Sequence, residues 1–421
     1  MPKQRIWVRR ITVGCLFLIL FSCLSLSIYV IVERQRVSQW AAIGGLIFEA
    51  PQYARLQSAD HVLNYLDNNP DSFSLVAYSV DVEGDAKLGE SHIFHNADRP
   101  LPLASTAKIV VLTAYARAIA GGVLDSAETL TLAEWDRYHV PNTNGGAHIA
   151  ALSDLDIEHD QWGYALDDTQ QVTIDQLVNA MIVQSDNAAP EWLIDRLGYE
   201  AIQAVVTDLD LDETLRLLPH SGLLLTLQNH EQDELTAEHV DALLAMDRPA
   251  FEALVWRNQA RFIDETVWGA AARDFWRADE SIRDPRLELQ AMALLSAQGT
   301  TRDFATIMAG VVSERLFSAE ISQIMRSHLE WPMEIAGNSA EFQALGNKGG
   351  SLLGITTDAT YFIPLNGDYA KQPRIVILFM HNIPLSAWLG FNNTFAHQLF
   401  GFTIATDASY SEHVRATLKD K

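Results

Sequence analysis

Cysteine is nearly absent: the 421-residue chain holds two, Cys15 and Cys23. Both lie in one apolar run near the N-terminus, so the remaining chain can form neither a disulfide nor a thiolate metal site. Its 13 histidines show no H-E-x-x-H or H-x-H-x-D spacing, and no metal and no cofactor are expected. Positive charge is also scarce. The 30 Lys and Arg against 54 Asp and Glu leave a net charge of −24. Phosphate binding needs clustered cations, so nucleic acid is excluded as a partner, and adhesion to anionic lipid headgroups is disfavoured. There is no repeat of solenoid period and no long low-complexity segment.

What is present reads as globular, with 48% hydrophobic and 20% charged residues and length enough for two packed domains. Residues 11–32 carry no charge and are long enough to cross a bilayer as a helix. Lys3, Arg5, Arg9 and Arg10 precede this run, while Glu33, Arg34 and Arg36 follow it. The basic flank predicts a cytoplasmic N-terminus, a single membrane pass and a catalytic domain outside the cytoplasm. A cleaved signal peptide is the rival, as is lipidation at Cys23. The run is long for a signal, and Ile28-Tyr29-Val30-Ile31 offers no small-residue cleavage site.

Apolar residues at helical spacing predict a helix over 54–69, closed by Pro70. Residues 73–82 read as a buried strand, 83–85 as a turn, 91–95 as a return strand and 96–102 as a loop. Residues 108–120 are apolar on most faces, which predicts a central helix ended by Gly121-Gly122. Capping signatures at Thr173 and Thr300 open two more helices. Strands are expected over 354–364 and 374–381, joined by the turn Asn366-Gly367-Asp368, with a closing helix over 387–402. The expected fold is α/β plus all-α: an antiparallel sheet assembled from N- and C-terminal strands, flanked by helices, with a helical domain inserted. The predicted divisions are 1–43 (tail, anchor and linker), 44–103 with 335–421 (sheet domain) and 104–334 (helical domain).

Three short strings carry chemistry. In Ser105-Thr106-Ala107-Lys108 the serine and lysine share a helix face one turn apart, and burial moves the lysine toward a neutral base. A serine hydroxyl needs such a base to attack a carbonyl. In Ser185-Asp186-Asn187, Ser185 can relay a proton to a leaving group, Asn187 can bind substrate and steady Lys108, and Asp186 can hold the loop. In Lys348-Gly349-Gly350-Ser351 the glycines let a substrate lie against a strand, and the lysine attracts a carboxylate. Taken singly, each has a plainer reading: a capping serine with a snorkelling lysine, a helix stop, and a glycine turn. Their joint order favours one active site.

These strings, with Leu101-Pro102-Leu103-Ala104 before Ser105 and Gly354-Ile355 after Leu352, resemble the class A β-lactamase family of penicillin-recognising serine enzymes. The resemblance implies Ser105 as acylated nucleophile, Lys108 as base and Ser185 as proton shuttle. It implies Asn187, Lys348, Gly350 and Ser351 as substrate-binding residues, with the N–H groups of Ser105 and Ser351 as oxyanion donors.

Two departures stand out. Residues 231–298 form an acidic insertion holding Trp256, Trp268 and Trp276, expected as a peripheral helical pair with its own small core, with a lid or partner-binding surface as the alternative. The omega-loop glutamate that activates hydrolytic water in the family is missing: Leu215 to Leu223 show no E-x-x-L-N pattern, and Glu213, Glu231 and Glu234 are out of place. The expected function is a membrane-anchored serine hydrolase acting through a Ser105 acyl-enzyme on a β-lactam or peptidoglycan-like amide or ester, with slow deacylation. The alternatives are a D-alanyl carboxypeptidase or esterase of the same fold, or a sensor that binds cell-wall fragments without turnover. The sequence assigns no protein partner.

Overall fold

The computed structural model describes residues 56–418, apart from 82–85, 88–91, 144, 212–214, 233–234, 279–286, 288–290 and 293. Backbone contacts divide the chain into 1–51 and 52–421, and only the second unit falls within the described residues. The expected membrane helix at 11–32 lies outside them. Among the described residues no helix is long and apolar enough to cross a membrane.

The main sheet is antiparallel, six-stranded, and drawn from both ends of the described chain. Its strands are β1 (Phe73–Val80), β2 (Ala86–Lys87), β3 (Ile93–His95), β8 (Phe342–Leu352), β9 (Ile355–Pro364) and β10 (Arg374–Met380). The order is β2-β1-β10-β9-β8, and β3 also pairs with β1. Two small ribbons complete the strands: β4 (Leu101–Pro102) with β7 (Gln298–Gly299), and β5 (Thr129–Thr131) with β6 (Gln171–Thr173). The segment 96–102, expected as loop, thus contains β4, which ties the approach to Ser105 to the far end of the insertion.

β1 and β10 are apolar at successive positions because both of their faces are covered. Val76, Tyr78, Ile375, Ile377 and Phe379 join a core with the helices Lys108–Ala120 and Thr301–Val312. Leu75, Ala77, Val376, Leu378 and Met380 face the helix Ala59–Asn68 and the C-terminal helices. The helix Lys108–Ala120 has Ile109, Val110 and Leu112 fully buried. Each such side chain contributes about 1.5–3 kcal/mol, enough to hold this helix as the axis of the first core.

Three local expectations change. The first helix begins at Ala59, after an N-cap at Ser58 whose side chain accepts from His61 N, and Pro70 opens a short 3-10 turn beyond its end. The closing helix is two helices, Leu385–Thr394 and Ala396–Thr406, because Phe395 adopts φ of +52° between them; a third, Ala408–Leu418, follows. The insertion supplies the helices Ala237–Leu244, Arg248–Asp264 and Thr266–Arg277. They have a core of their own around Phe251, Phe262, Trp268 and Trp276, but it continues into Ile355 of β9 and Leu223–Leu225. The insertion is therefore continuous with the structure around the site and not peripheral to it.

Candidate active site

Ser105 sits in a 3-10 turn, Ala104–Ala107, that runs directly into the helix Lys108–Ala120. In a 3-10 turn, residues three apart eclipse one another, which stacks Lys108 over Ser105 more closely than an α-helix would. Lys108 Nζ lies 3.0 Å from Ser105 Oγ. Its other neighbours are acceptors: Ser185 O at 2.6 Å, Asn187 Oδ1 at 2.7 Å and Ser185 Oγ at 3.2 Å.

Burial, followed by the nearby Lys348 charge, holds the Lys108 ammonium well below the ordinary lysine range; Asp186 and Glu191 oppose this only in part. A neutral amine here gives its two hydrogens to Ser185 O and Asn187 Oδ1 and turns its lone pair to Ser105. Lys348 donates to Ser185 Oγ at 3.0 Å and to Gly349 O at 2.8 Å. Burial lowers it to about 7, with Asp358 pulling the other way. The structure thus brings Ser105, Lys108, Ser185, Asn187 and Lys348 together. Ser105, Lys108, Ser185 and Asn187 line one cavity of about 620 Å³ with Gly350 and Ser351, and Lys348 reaches it through Ser185 Oγ.

The lysine-glycine string lies within β8 (Phe342–Leu352), ahead of the strand expected to begin at 354. Gly349 pairs with Asp358 and Gly350 with Thr357 across β9. Trp388 Nε1 donates to Ser351 Oγ at 3.1 Å. A Cβ on Gly350 would lie 2.5 Å from Ser105 N and 2.5 Å from Thr357 Oγ1, whereas one on Gly349 meets nothing nearer than 3.6 Å. Gly350→Ala must therefore push the nucleophile turn away from the strand. We expect acylation to fall by about 100-fold, the scale of a 1 Å misplacement, with the far-ultraviolet dichroism unchanged. Gly349→Ser should leave the turn in place. Equal acylation rates in the two variants would contradict this packing.

Ser185 takes φ of +64°, a strained left-handed position for a serine. The strain is held from beneath. Asp186 is fully buried and accepts from Trp135 Nε1 at 2.9 Å, Ala189 N at 2.7 Å and His148 Nδ1 at 2.9 Å. The second nitrogen of His148 meets Asp136 Oδ1 at 3.1 Å, and Asp136 Oδ2 accepts from Ala165 N at 2.9 Å. Burial opposes the charge on His148, but the two carboxylates overrule it and raise the imidazole to about 9. Burial likewise opposes ionisation of Asp186, and the His148 charge overrules it, so this carboxyl stays below its ordinary value. His139, stacked on His148 at 4.2 Å, is pushed down to about 3 by burial and by that charge.

Two parts of this arrangement escape a reading of the sequence. The Asp136–His148–Asp186 bridge joins residues with no motif spacing. Glu191 also lines the cavity; it has one faint signal, its place four residues after Asn187 on the same helix face. Ser221 N donates to its Oε1 at 2.6 Å, Ser221 Oγ donates to its Oε2, and Gln259 Nε2 of the insertion donates to Oε2 at 3.1 Å. Burial raises Glu191 to about 7 against these hydrogen bonds. Among the described residues, no group of three or more His, Cys, Asp or Glu side chains is placed to hold a metal ion.

A serine and a lysine on a core helix, a serine loop and a lysine strand around one crevice define the architecture of an active-site serine hydrolase. The chain belongs to the beta-lactamase enzyme family, whose model matches residues 59–382. No curated protein matches it in sequence. Solved structures similar to it include a beta-lactamase from Sphaerobacter thermophilus, at 18% identity over 84% of this chain and 96% of that one, with a TM-score of 0.46. A reconstructed class A beta-lactamase of the last common ancestor of Gram-negative bacteria has 15% identity over 82% of this chain and 98% of its own, with a TM-score of 0.47. A PBP-A variant captured as its acyl-enzyme with penicillin G has 14% identity over 86% and 96%, with a TM-score of 0.44.

Proposed function

We propose that this protein is an extracytoplasmic serine hydrolase, anchored by residues 11–32, that forms a Ser105 acyl-enzyme with a β-lactam or related amide or ester and releases it slowly. The anchor rests on the charge-free run and its basic flank. The acylation chemistry rests on one observation: Lys108 Nζ is 3.0 Å from Ser105 Oγ with its other contacts all acceptors.

In this reading neutral Lys108 takes the hydroxyl proton as Ser105 Oγ bonds to the carbonyl carbon. The oxyanion is met by the N–H groups of Ser105 and Ser351. As the bond to the leaving atom breaks, Ser185 passes its proton to that atom and regains one from Lys108. Water must then cleave the ester. The one carboxylate among the described cavity-lining residues, Glu191, has its oxygens engaged by Ser221 and Gln259, which supports slow deacylation.

Exposure to penicillin should therefore give one stable adduct by intact mass, and peptide mapping should place it on Ser105. Rapid release of hydrolysed product with no trapped adduct would remove the slow step. An adduct on another residue would remove the nucleophile.

A further inference from the structure

The cavity is unlike at its two ends. Along the helices, past the polar group of Lys108, Asn187 and Glu191, the lining is largely apolar. Val111 lies one turn beyond Lys108 on the nucleophile helix, and Ile194 lies two turns beyond Asn187 on the helix Ala188–Leu197. Leu217, Leu218 and Leu223 close this lobe from the segment before and within the helix His220–Leu227. Ser105 and Val111 are about 9 Å apart along this wall by helical rise. These residues and Ser105 line the same cavity.

The β8 end is poor in cations. No arginine lines the cavity among the described residues. The space beside Gly349 is faced by Asp358 Oδ1, 3.6 Å from where a Cβ would stand. Lys348 gives two of its three N–H donors to Ser185 and its neighbour's carbonyl. A substrate carboxylate placed there meets a buried carboxylate and finds no guanidinium to balance it.

We propose that the preferred acyl donor is an uncharged ester with an apolar, unbranched acyl chain, the chain seated in the lobe bounded by Val111, Ile194, Leu217 and Leu223. The proposal rests on Ser105 being the nucleophile. Ser105 Oγ forms the new ester bond, the donor's carbonyl carbon–oxygen bond breaks, and the departing alcohol takes its proton from Ser185. Water later regenerates Ser105 and releases the fatty acid. Burying each added methylene in the lobe is worth about fourfold in acylation.

The test uses the full chain and a series of p-nitrophenyl esters from acetyl to octanoyl. It reads the stoichiometric burst of nitrophenol and the mass of the adduct. The burst rate should climb with chain length by about fourfold per methylene, and Ile194→Trp, which fills the lobe, should cut the octanoyl-to-acetyl ratio by about tenfold or more. Leu223→Trp, placed on another wall, should cut the same ratio, so one misfolded variant does not decide the matter. A burst rate that is flat or falls with chain length while Ser105 is acylated would overturn the proposal and leave the nucleophile standing. Esters that never acylate Ser105 would overturn it too; if penicillin then also fails to label Ser105, the hydrolase reading falls with it.

Discussion

Lys108→Ala will slow acylation of Ser105 by about 10⁴-fold, the upper range for loss of a positioned general base, while leaving the fold intact. The side chain is buried, yet its contacts are Ser105, Ser185 and Asn187, so its removal leaves two acceptors to be satisfied by water entering the cavity. The pH profile separates this from a structural effect. Lys108 is held well below its ordinary value by burial and the Lys348 charge, so wild-type acylation should fall as pH drops and the amine takes up a proton. Lys348, at about 7, loses its charge as pH rises through that value, weakening its hold on Ser185 and producing an alkaline decline. In the variant the acid limb should vanish and the alkaline limb remain, read as adduct formation against pH. An unchanged acid limb would assign it to another group.

The second large effect belongs to His148. Replacing it with leucine leaves Asp136 and Asp186 buried with no cation between them, at a cost of about 3–5 kcal/mol. Urea unfolding at neutral pH should show that loss. Acylation should fall by about 100-fold as the Ser185–Asn187 turn shifts. The sign of the pH dependence follows from the folded-state values. His148 is raised to about 9, so its contribution is complete below about 6.5 and is lost as pH climbs through about 9. Asp186 is depressed, so its contribution is complete above its unfolded value of about 3.9 and is lost in stronger acid. His139, pushed down to about 3, acts oppositely to His148: below about 6.5 the unfolded chain takes a proton that the folded state refuses. Lys348, lowered to about 7, and Lys108, also depressed, add stability as pH rises through the alkaline range, so the readout is the difference between wild type and His148→Leu, which should shrink as pH climbs from about 6.5 through about 9. A wild-type-minus-variant difference that stays constant between about pH 6.5 and about pH 10 would show that another group is responsible.

The legible parts of the fold are those that local pattern controls. β1 and β10 carry apolar residues on both faces because both faces are covered, and the nucleophile helix is apolar around most of its circumference for the same reason. The boxes at Thr173 and the cap at Thr300 open helices where expected because capping is settled within four residues. β8 was less legible. Asn347, Lys348, Gly349 and Gly350 have poor strand propensity, and only pairing with Thr357 to Thr360 of β9 makes them extended. The break at Phe395 has no sequence signal, since an aromatic residue rarely takes positive φ. The insertion's tryptophans marked a core, but nothing in their spacing showed that Gln259 reaches Glu191.

By itself the sequence determined which groups are available and in what order: a serine and lysine one turn apart on a buried helix, a serine-bearing stop after another helix, and a lysine followed by two glycines. Those are short-range matters, governed by helix periodicity, capping and side-chain chemistry. Only the tertiary structure decided which amine is stripped of its proton, that Gly350 must lie bare against the nucleophile's backbone, and that a histidine between two aspartates underpins the strained serine. Burial and charge act across space without regard to chain distance, and the fold alone sets which distant residues come within their reach.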